Sequence, residues 1–171
     1  MTSTDRAEDE MAALVTAAQR GDVLAMDDLL SVLEPMVRRV CRQIAREDGA
    51  DATQEALVAI FRNIRQLRSP LALFGWAKAI AAREAVRMTA QRKRIVVAEV
   101  ADRAADEVDV ELTAGIADVM SRLKHDHRAV LALRHIDGLD EQEVSEALSI
   151  PVGTVRSRLF RAREAFRNAW L

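Results

Sequence analysis

The sequence predicts an all-α protein of two small helical domains joined by an acidic linker. Three observations carry that expectation. Half of the 171 residues are hydrophobic, yet only six are aromatic, Tyr is absent, and just six Gly and three Pro punctuate the chain. Such a composition can bury a core and favours helix over strand. Apolar residues recur three and four apart rather than in alternation. Charge is segregated behind a net value of −2: residues 1–37 sum to −6, 38–94 to +8, 95–120 to −6 and 121–171 to +2. Two cationic stretches flanking an anionic one suit two anion-binding surfaces, and equally suit solvated helix faces.

Each element has a local reason. Residues 8–20 place Met11, Leu14, Val15 and Ala18 on one face and stop at Gly21. Asp22 caps a helix running to about Leu33, and Pro35 is expected to open another that reaches about Arg46. After a turn at 48–51, Asp51 with Gln54 resembles a capping box for a helix presenting Ala56, Leu57, Ile60, Phe61, Ile64 and Leu67. Ser69-Pro70 reads as the N-cap and first residue of a long helix to about Gln91, with a break expected near Gly75. Residues 95–111 carry Glu99, Asp102, Asp106, Glu107, Asp109 and Glu111 without an apolar stripe. They form the acidic linker between a domain at 1–94 and one at 112–171.

Beyond the linker, helices at 112–123 and 126–136 end at Asp137-Gly138, and Asp140 with Glu143 caps a short helix, 141–148. Ser149-Ile150-Pro151 then turns into a helix reaching about Ala169. Two helices joined by three residues, the second richer in Arg, match the helix-turn-helix plan. In the second helix Val155, Leu159, Ala162 and Phe166 line a buried face. Arg156, Ser157, Phe160 and Arg161 fall together on the opposite side. Arg can bridge O6 and N7 of guanine, and Phe can touch a thymine methyl, so this face suits a major groove. The backbone N–H groups opening the helix, with Thr154, suit a phosphate.

Other chemistries find no footing. Cys41 is the single cysteine, which excludes an internal disulfide and a multi-Cys zinc site. It sits on an apolar helix face, a poor place for a redox switch. His125, His127 and His135 show no metal-ligand spacing, and no Glu-x-x-His pair, Gly-rich phosphate loop or nucleophile motif occurs. No metal, no cofactor and no catalytic activity are therefore expected. The opening residues are acidic and polar, the reverse of a secretory signal, and no apolar run approaches a membrane span. The expectation is a cytoplasmic chain without membrane insertion.

Leu123 to Phe166, including Ala129-Val-Leu-Ala-Leu-Arg134 and Gly153-Thr-Val-Arg-Ser-Arg-Leu-Phe-Arg-Ala-Arg163, closely resembles region 4 of sigma-70-family factors of the extracytoplasmic-function (ECF) type. Asp51-Ala-Thr-Gln-Glu-Ala-Leu-Val58 is similar to the family's region 2.2, and Trp76 through Arg94 to regions 2.3 and 2.4. The resemblance implies a promoter-specificity subunit that binds bacterial RNA polymerase core and promoter DNA, with an anti-sigma factor as a further partner. It places core binding on Asp51, Gln54, Glu55 and Val58. It implies capture of the melted −10 strand by Arg83, Arg87, Arg92, Lys93 and Arg94, while Trp76 reads as a core anchor or a strand contact. Reading of the −35 duplex falls to Arg134, Thr154, Arg156, Ser157, Phe160 and Arg161. The acidic linker matches the segment that threads toward the polymerase channels, where its charge stands in for nucleic acid or is simply solvated.

Four positions depart from the family pattern. Arg83 and Arg87 stand where small polar residues are common, which shifts weight from base preference to phosphate contact. Ser145 replaces the usual Ala. Ser149 replaces the Gly often found at the turn, a left-handed position that costs a non-Gly residue about 1 kcal/mol. The alternative is a helix-turn-helix transcription regulator that does not bind core polymerase. Such a regulator would usually carry a sensing or receiver domain, and residues 1–94 show no strand pattern or phosphate-acceptor site.

Overall fold

The computed structural model describes residues 3–96 and 111–171 and is helical throughout, with no strand among the described residues. Helix α1 (Ser3–Gln19) leads through Gly21, at φ 93°, into α2 (Val23–Ala45), whose N-cap Asp22 accepts a hydrogen bond from the Ala25 N–H at 3.0 Å. Helix α3 (Gly49–Asn63) and helix α4 (Leu73–Val96) follow, with single 3₁₀ turns at Arg46–Asp48, Ile64–Gln66 and Pro70–Ala72. Beyond residues 97–110 come α5 (Glu111–Arg122), α6 (His125–Leu131), α7 (Glu141–Leu148) and α8 (Val152–Trp170).

Helix α2 is the axis of the first half. Its buried stripe, Leu29, Leu33, Val37, Val40 and Ile44, meets α1, α3 and α4. Ala52, Ala56 and Ile60 of α3 and Leu73, Ala77, Ala81 and Ala85 of α4 complete that core. Small residues on α3 and α4 let the helix axes approach closely. The side chain of Gln19 donates to the carbonyls of Ile64 and Leu67, at 3.0 and 2.8 Å, pinning the end of α1 to the α3–α4 connection.

Three expected boundaries differ. Pro35 lies inside α2 rather than opening a new helix. One lost backbone bond is outweighed because Leu33 and Val37, on either side of it, stay on the same buried stripe. Gly75 likewise does not break α4, since Leu73 and Ala77 bury across it. The box expected from Asp51 and Gln54 does not form: α3 begins two residues earlier at Gly49, and Asp51 sits in its first turn, where a carboxylate still favours the helix dipole. A Cβ on Gly49 would stand 3.0 Å from the Cα of Arg42, so the missing side chain lets α3 start against α2. The acidic linker lies outside the described residues except at its ends, where Ile95 and Val96 extend α4 and Glu111 opens α5.

In the second half, α6 widens into a π-helical turn over Ala132–Ile136, where the Asp137 N–H reaches back to the Ala132 carbonyl at 3.0 Å. The α7 box forms as expected: Asp140 Oδ1 accepts from the Glu143 N–H at 2.8 Å, and Glu143 Oε2 from the Asp140 N–H at 2.7 Å. Ser149 adopts the left-handed conformation, φ 53° and ψ 44°. Ser145 Oγ donates to the Ile150 carbonyl at 2.6 Å, which gives the hydroxyl at that position a structural task in the turn. Buried residues of both halves form one contiguous cluster, with α6 against α2 and α7 against α4.

Candidate nucleic-acid interface

Helix α8 divides as its spacing predicts except at Phe166, expected on the buried face but only half-buried because it borders an open apolar groove. Val155, Leu159 and Ala162 are buried, while Arg156, Ser157, Phe160 and Arg161 face outward. Phe160 is 63% exposed, unusual for an aromatic ring and suited to an apolar contact with a partner. Arg156 Nε donates to Glu141 Oε2 of α7 at 2.6 Å, and Ser157 Oγ to the Thr154 carbonyl at 3.0 Å. Pro151 is the N-cap, and its carbonyl takes both the Thr154 and the Val155 N–H. The amides left for an anion at this helix start are therefore Val152 and Gly153, not Thr154, because the first turn closes on itself. Arg134, half-buried, donates to the Leu139 carbonyl at 3.3 Å and so braces the approach to α7.

On α3, Asp51, Gln54, Glu55 and Val58 form one exposed stripe, Val58 being 41% exposed. Asp51, Gln54 and Glu55 border a shallow depression of about 380 Å³ closed on the far side by Met88 of α4. The two candidate faces of this half therefore adjoin. Arg87 of α4 ion-pairs with Glu84 at 2.5 Å and lies 3.6 Å from Glu55. Arg92 pairs with Asp48 at 2.7 Å and Glu47 at 2.9 Å, and Asp48 above all raises its pKa. Two of the five cations expected to serve the strand are thus already neutralised on the protein. Arg83 and Arg94 are exposed; Lys93 lies on α4 with its side chain outside what the structure describes. Trp76 is half-buried and packs against the core, as an anchor would.

Two features escaped the sequence reading. Arg128 is only 7% exposed and donates to three carbonyls: Ile44 at 3.1 Å, Ser121 at 3.2 Å and Leu123 at 3.0 Å. Burial, then nearby Arg46, lowers its pKa, although a guanidinium stays protonated regardless. The unbroken apolar run Ala129–Leu133 beside it was the signal, since a short helix with no polar side is buried all round. The second is an apolar groove of about 740 Å³ bordered by Ile116, Met120, Ile136, Phe166 and Trp170, the last two rings stacked with centroids 6.0 Å apart.

Among the described residues no group of three or more His, Cys, Asp or Glu could hold a metal ion, and no helix is long and apolar enough to cross a membrane. Burial first, and then neighbouring Lys124 and Arg163 respectively, lowers the pKa of His127 and His135.

Comparison with known proteins places this architecture. The family model for sigma-70, region 4 matches residues 114–166. The ECF RNA polymerase sigma-E factor of Haemophilus influenzae is 31% identical over 175 residues, covering 91% of this chain and 93% of that protein. The RNA polymerase sigma-H factor of Pseudomonas aeruginosa is 30% identical over 176 residues, covering 91% of each. The fold is shared with the sigma factor RpoE of Bartonella quintana, solved in complex with the anti-sigma factor NepR (TM-score 0.64, 19% identity, 84% of this chain and 94% of that one). It is shared also with CnrH in complex with the cytosolic domain of CnrY (TM-score 0.59, 20% identity, 92% and 94%). The resemblance read from residues 51–58, 76–94 and 123–166 is matched by relatives that cover nearly the whole chain, and this protein belongs to the extracytoplasmic-function sigma factors, the promoter-specificity subunits of the sigma-70 family.

Proposed function

We propose that residues 1–94 form the region 2 unit, residues 112–171 the region 4 unit, and residues 95–111 the acidic connection. In this reading Asp51, Gln54, Glu55 and Val58 dock on core polymerase. Arg83, Arg87, Arg92, Lys93 and Arg94 receive the melted −10 strand, with Trp76 supporting the helix from the core. Arg134, Arg156, Ser157, Phe160 and Arg161 contact the −35 duplex, and Thr154 with the α8 start meets a phosphate. The observation that carries the reading is the outward face of α8, cationic and apolar together, on a helix whose other side is locked in the core.

The chain acts in the cytoplasm by binding energy alone, without catalysis of its own. Strand capture needs charge for phosphates and a surface for unstacked bases, and duplex reading needs positioned donors. An anti-sigma partner is supported by the two solved relatives, each seen with a protein partner. The regulator reading without core binding is disfavoured, because the relatives match through both halves.

The test is titration of labelled protein with bacterial RNA polymerase core, followed by transcription from a pooled promoter library. Tight core binding with selective initiation is expected, and the selected promoters should share −35 and −10 sequences. Duplex binding without core binding would overturn the reading.

A further inference from the structure

The last turns of α4 carry Lys93 and Arg94, two of the five cations assigned to the −10 strand, on a stretch that apolar packing barely holds. Leu73, Ala77, Ala81 and Ala85 seat the helix against its neighbours, and beyond Ala85 no described residue of α4 is buried. Met88 is half-buried, and the space beside it is the depression of about 380 Å³ bordered by Ala50, Asp51, Gln54 and Glu55 of α3. Thr89 Oγ1 donates to the Ala85 carbonyl at 2.8 Å, a bond within its own helix.

The reach from this end to the rest of the molecule is made by Arg92. Its Nη1 lies 2.7 Å from Asp48 Oδ1 and its Nη2 2.9 Å from Glu47 Oε2, so one guanidinium takes both acids of the 3₁₀ turn between α2 and α3. Asp48 is the anchored member, with 18% of its side chain exposed against 47% for Arg92. The pair closes a span of 44 positions. Arg87 differs, because its nearer partner, Glu84, stands on α4 itself.

Pairs at such a surface add little stability, but a planar guanidinium shared by two acids of one turn fixes where the helix end lies. The same pairing disfavours Arg92 as a phosphate ligand. A phosphate would have to displace two charge-assisted contacts, and the released Glu47 and Asp48 carboxylates would then stand beside it as like charges. Arg83 and Arg94 meet no such competition: both are exposed and form no ion pair among the described residues.

We propose that Arg92 is a positioning residue of the strand surface: it clamps the end of α4 to the Glu47–Asp48 turn and takes no phosphate itself. The inference rests on the assignment of this surface to the −10 strand, and it removes one of the five cations from direct contact. Because the clamped turn leads straight into α3, it also ties the stretch bearing Lys93 and Arg94 to the helix proposed to dock on core. Strand cations and docking stripe are thereby held in one fixed relation.

The test uses the full chain as wild type, Arg92→Gln, Arg92→Lys, Arg94→Gln, the double change Glu47→Gln with Asp48→Asn, and that double change combined with Arg92→Gln. Anisotropy reads affinity for a short labelled single-stranded DNA of random sequence. Hydrogen–deuterium exchange reads residues 89–96, and circular dichroism reads melting. Removing two acids from a cationic surface should tighten strand binding on charge alone, so a loss reports displaced cations. The expected result is about threefold weaker strand binding in the double change, with faster exchange over 89–96 and a melting temperature nearly unchanged. Arg92→Gln should accelerate the same exchange and weaken strand binding, the combined variant should be no weaker than Arg92→Gln alone, and Arg92→Lys should keep most of the wild-type affinity. Strand binding unchanged or tightened in the double change, with the loss confined to Arg92→Gln, would make Arg92 a phosphate contact and overturn the proposal. Unaltered exchange would overturn it too. Arg94→Gln should weaken strand binding and lower its salt slope by about 0.7. A wild type that binds no strand, or binding indifferent to Arg94→Gln, would overturn the −10 assignment and the strand role with it, while exchange over 89–96 separately decides whether Arg92 clamps.

Discussion

Glu141 and Arg156 join the two helices of the helix-turn-helix, Nε to Oε2 at 2.6 Å, with the Arg156 side chain largely in solvent and that of Glu141 partly exposed. An exposed pair of this kind adds little stability. Its effect is geometric: the bond to Glu141 engages Nε and leaves the Nη groups for the fork that bridges guanine O6 and N7. Arg156→Ala and Arg161→Ala should each lose about 1–3 kcal/mol on cognate −35 duplex. Glu141→Gln should leave the melting temperature nearly unchanged and narrow the gap between cognate and scrambled duplex. Anisotropy titrations on the two duplexes measure both. Equal losses on scrambled duplex would refute base reading by these residues.

The turn before α8 carries measurable strain. Ser149 is left-handed, held there by its own N–H to the Glu146 carbonyl at 3.3 Å and by the Ile150 N–H to the Ser145 carbonyl at 3.1 Å. Ser149→Gly should stabilise the protein by about 0.5–1 kcal/mol, the relief of a Cβ clash less the entropy of a freer unfolded chain. Ser145→Ala should destabilise by about 1 kcal/mol, because its hydroxyl bonds the Ile150 carbonyl. Urea unfolding monitored by helix content checks both signs.

Acid should weaken the fold before the carboxylates titrate. His127 and His135 both lie below their ordinary value of 6.5 in the folded chain, chiefly through burial. The unfolded chain then binds more protons as pH falls past 6.5, so stability drops on acidification and is fully restored above that value. The melting temperature should fall between pH 7.5 and 5.5, and the double change His127→Gln with His135→Gln should flatten that slope. An unchanged slope in the variant would assign it elsewhere.

Cys41 should behave as a hydrocarbon. It is fully buried, and burial above all pushes its thiol up to about 11, with Glu84 adding to the rise and a hydrogen bond from the Thr53 side opposing it. Only the thiolate reacts, so a disulfide reagent should modify the native chain slowly and the urea-unfolded chain fast. Prompt labelling of the native protein would contradict this packing.

What the sequence made legible was local. Asp140 and Glu143 sit three apart, and their box forms because every atom it needs lies within one turn. The two faces of α8 follow from its own spacing. Pro35 and Gly75 misled because breaker residues were read without the burial on both sides that overrides them. Asp51 misled for a related reason: the start of α3 is set by contact with α2, not by the cap signal. The bond of Arg128 to α2 was invisible because its acceptor there, the Ile44 carbonyl, lies 84 positions away. Arg92 looked like free charge, and its acids, Glu47 and Asp48, arrive from the turn before α3 through folding alone, whereas the nearer partner of Arg87, Glu84, stands three residues earlier on the same helix.

Gly49 sets a tolerance rather than a strength. With the place of its Cβ 3.0 Å from the backbone of Arg42, the spacing of α2 and α3 is fixed by main chain against main chain, which no rotamer can adjust. Other core positions can absorb a methyl group by repacking; this one would convert it into a tilt of the whole helix. Asp51, Gln54, Glu55 and Val58 ride on that helix, so a single added carbon at its start would move all four together, out of register with any rigid surface shaped to receive them.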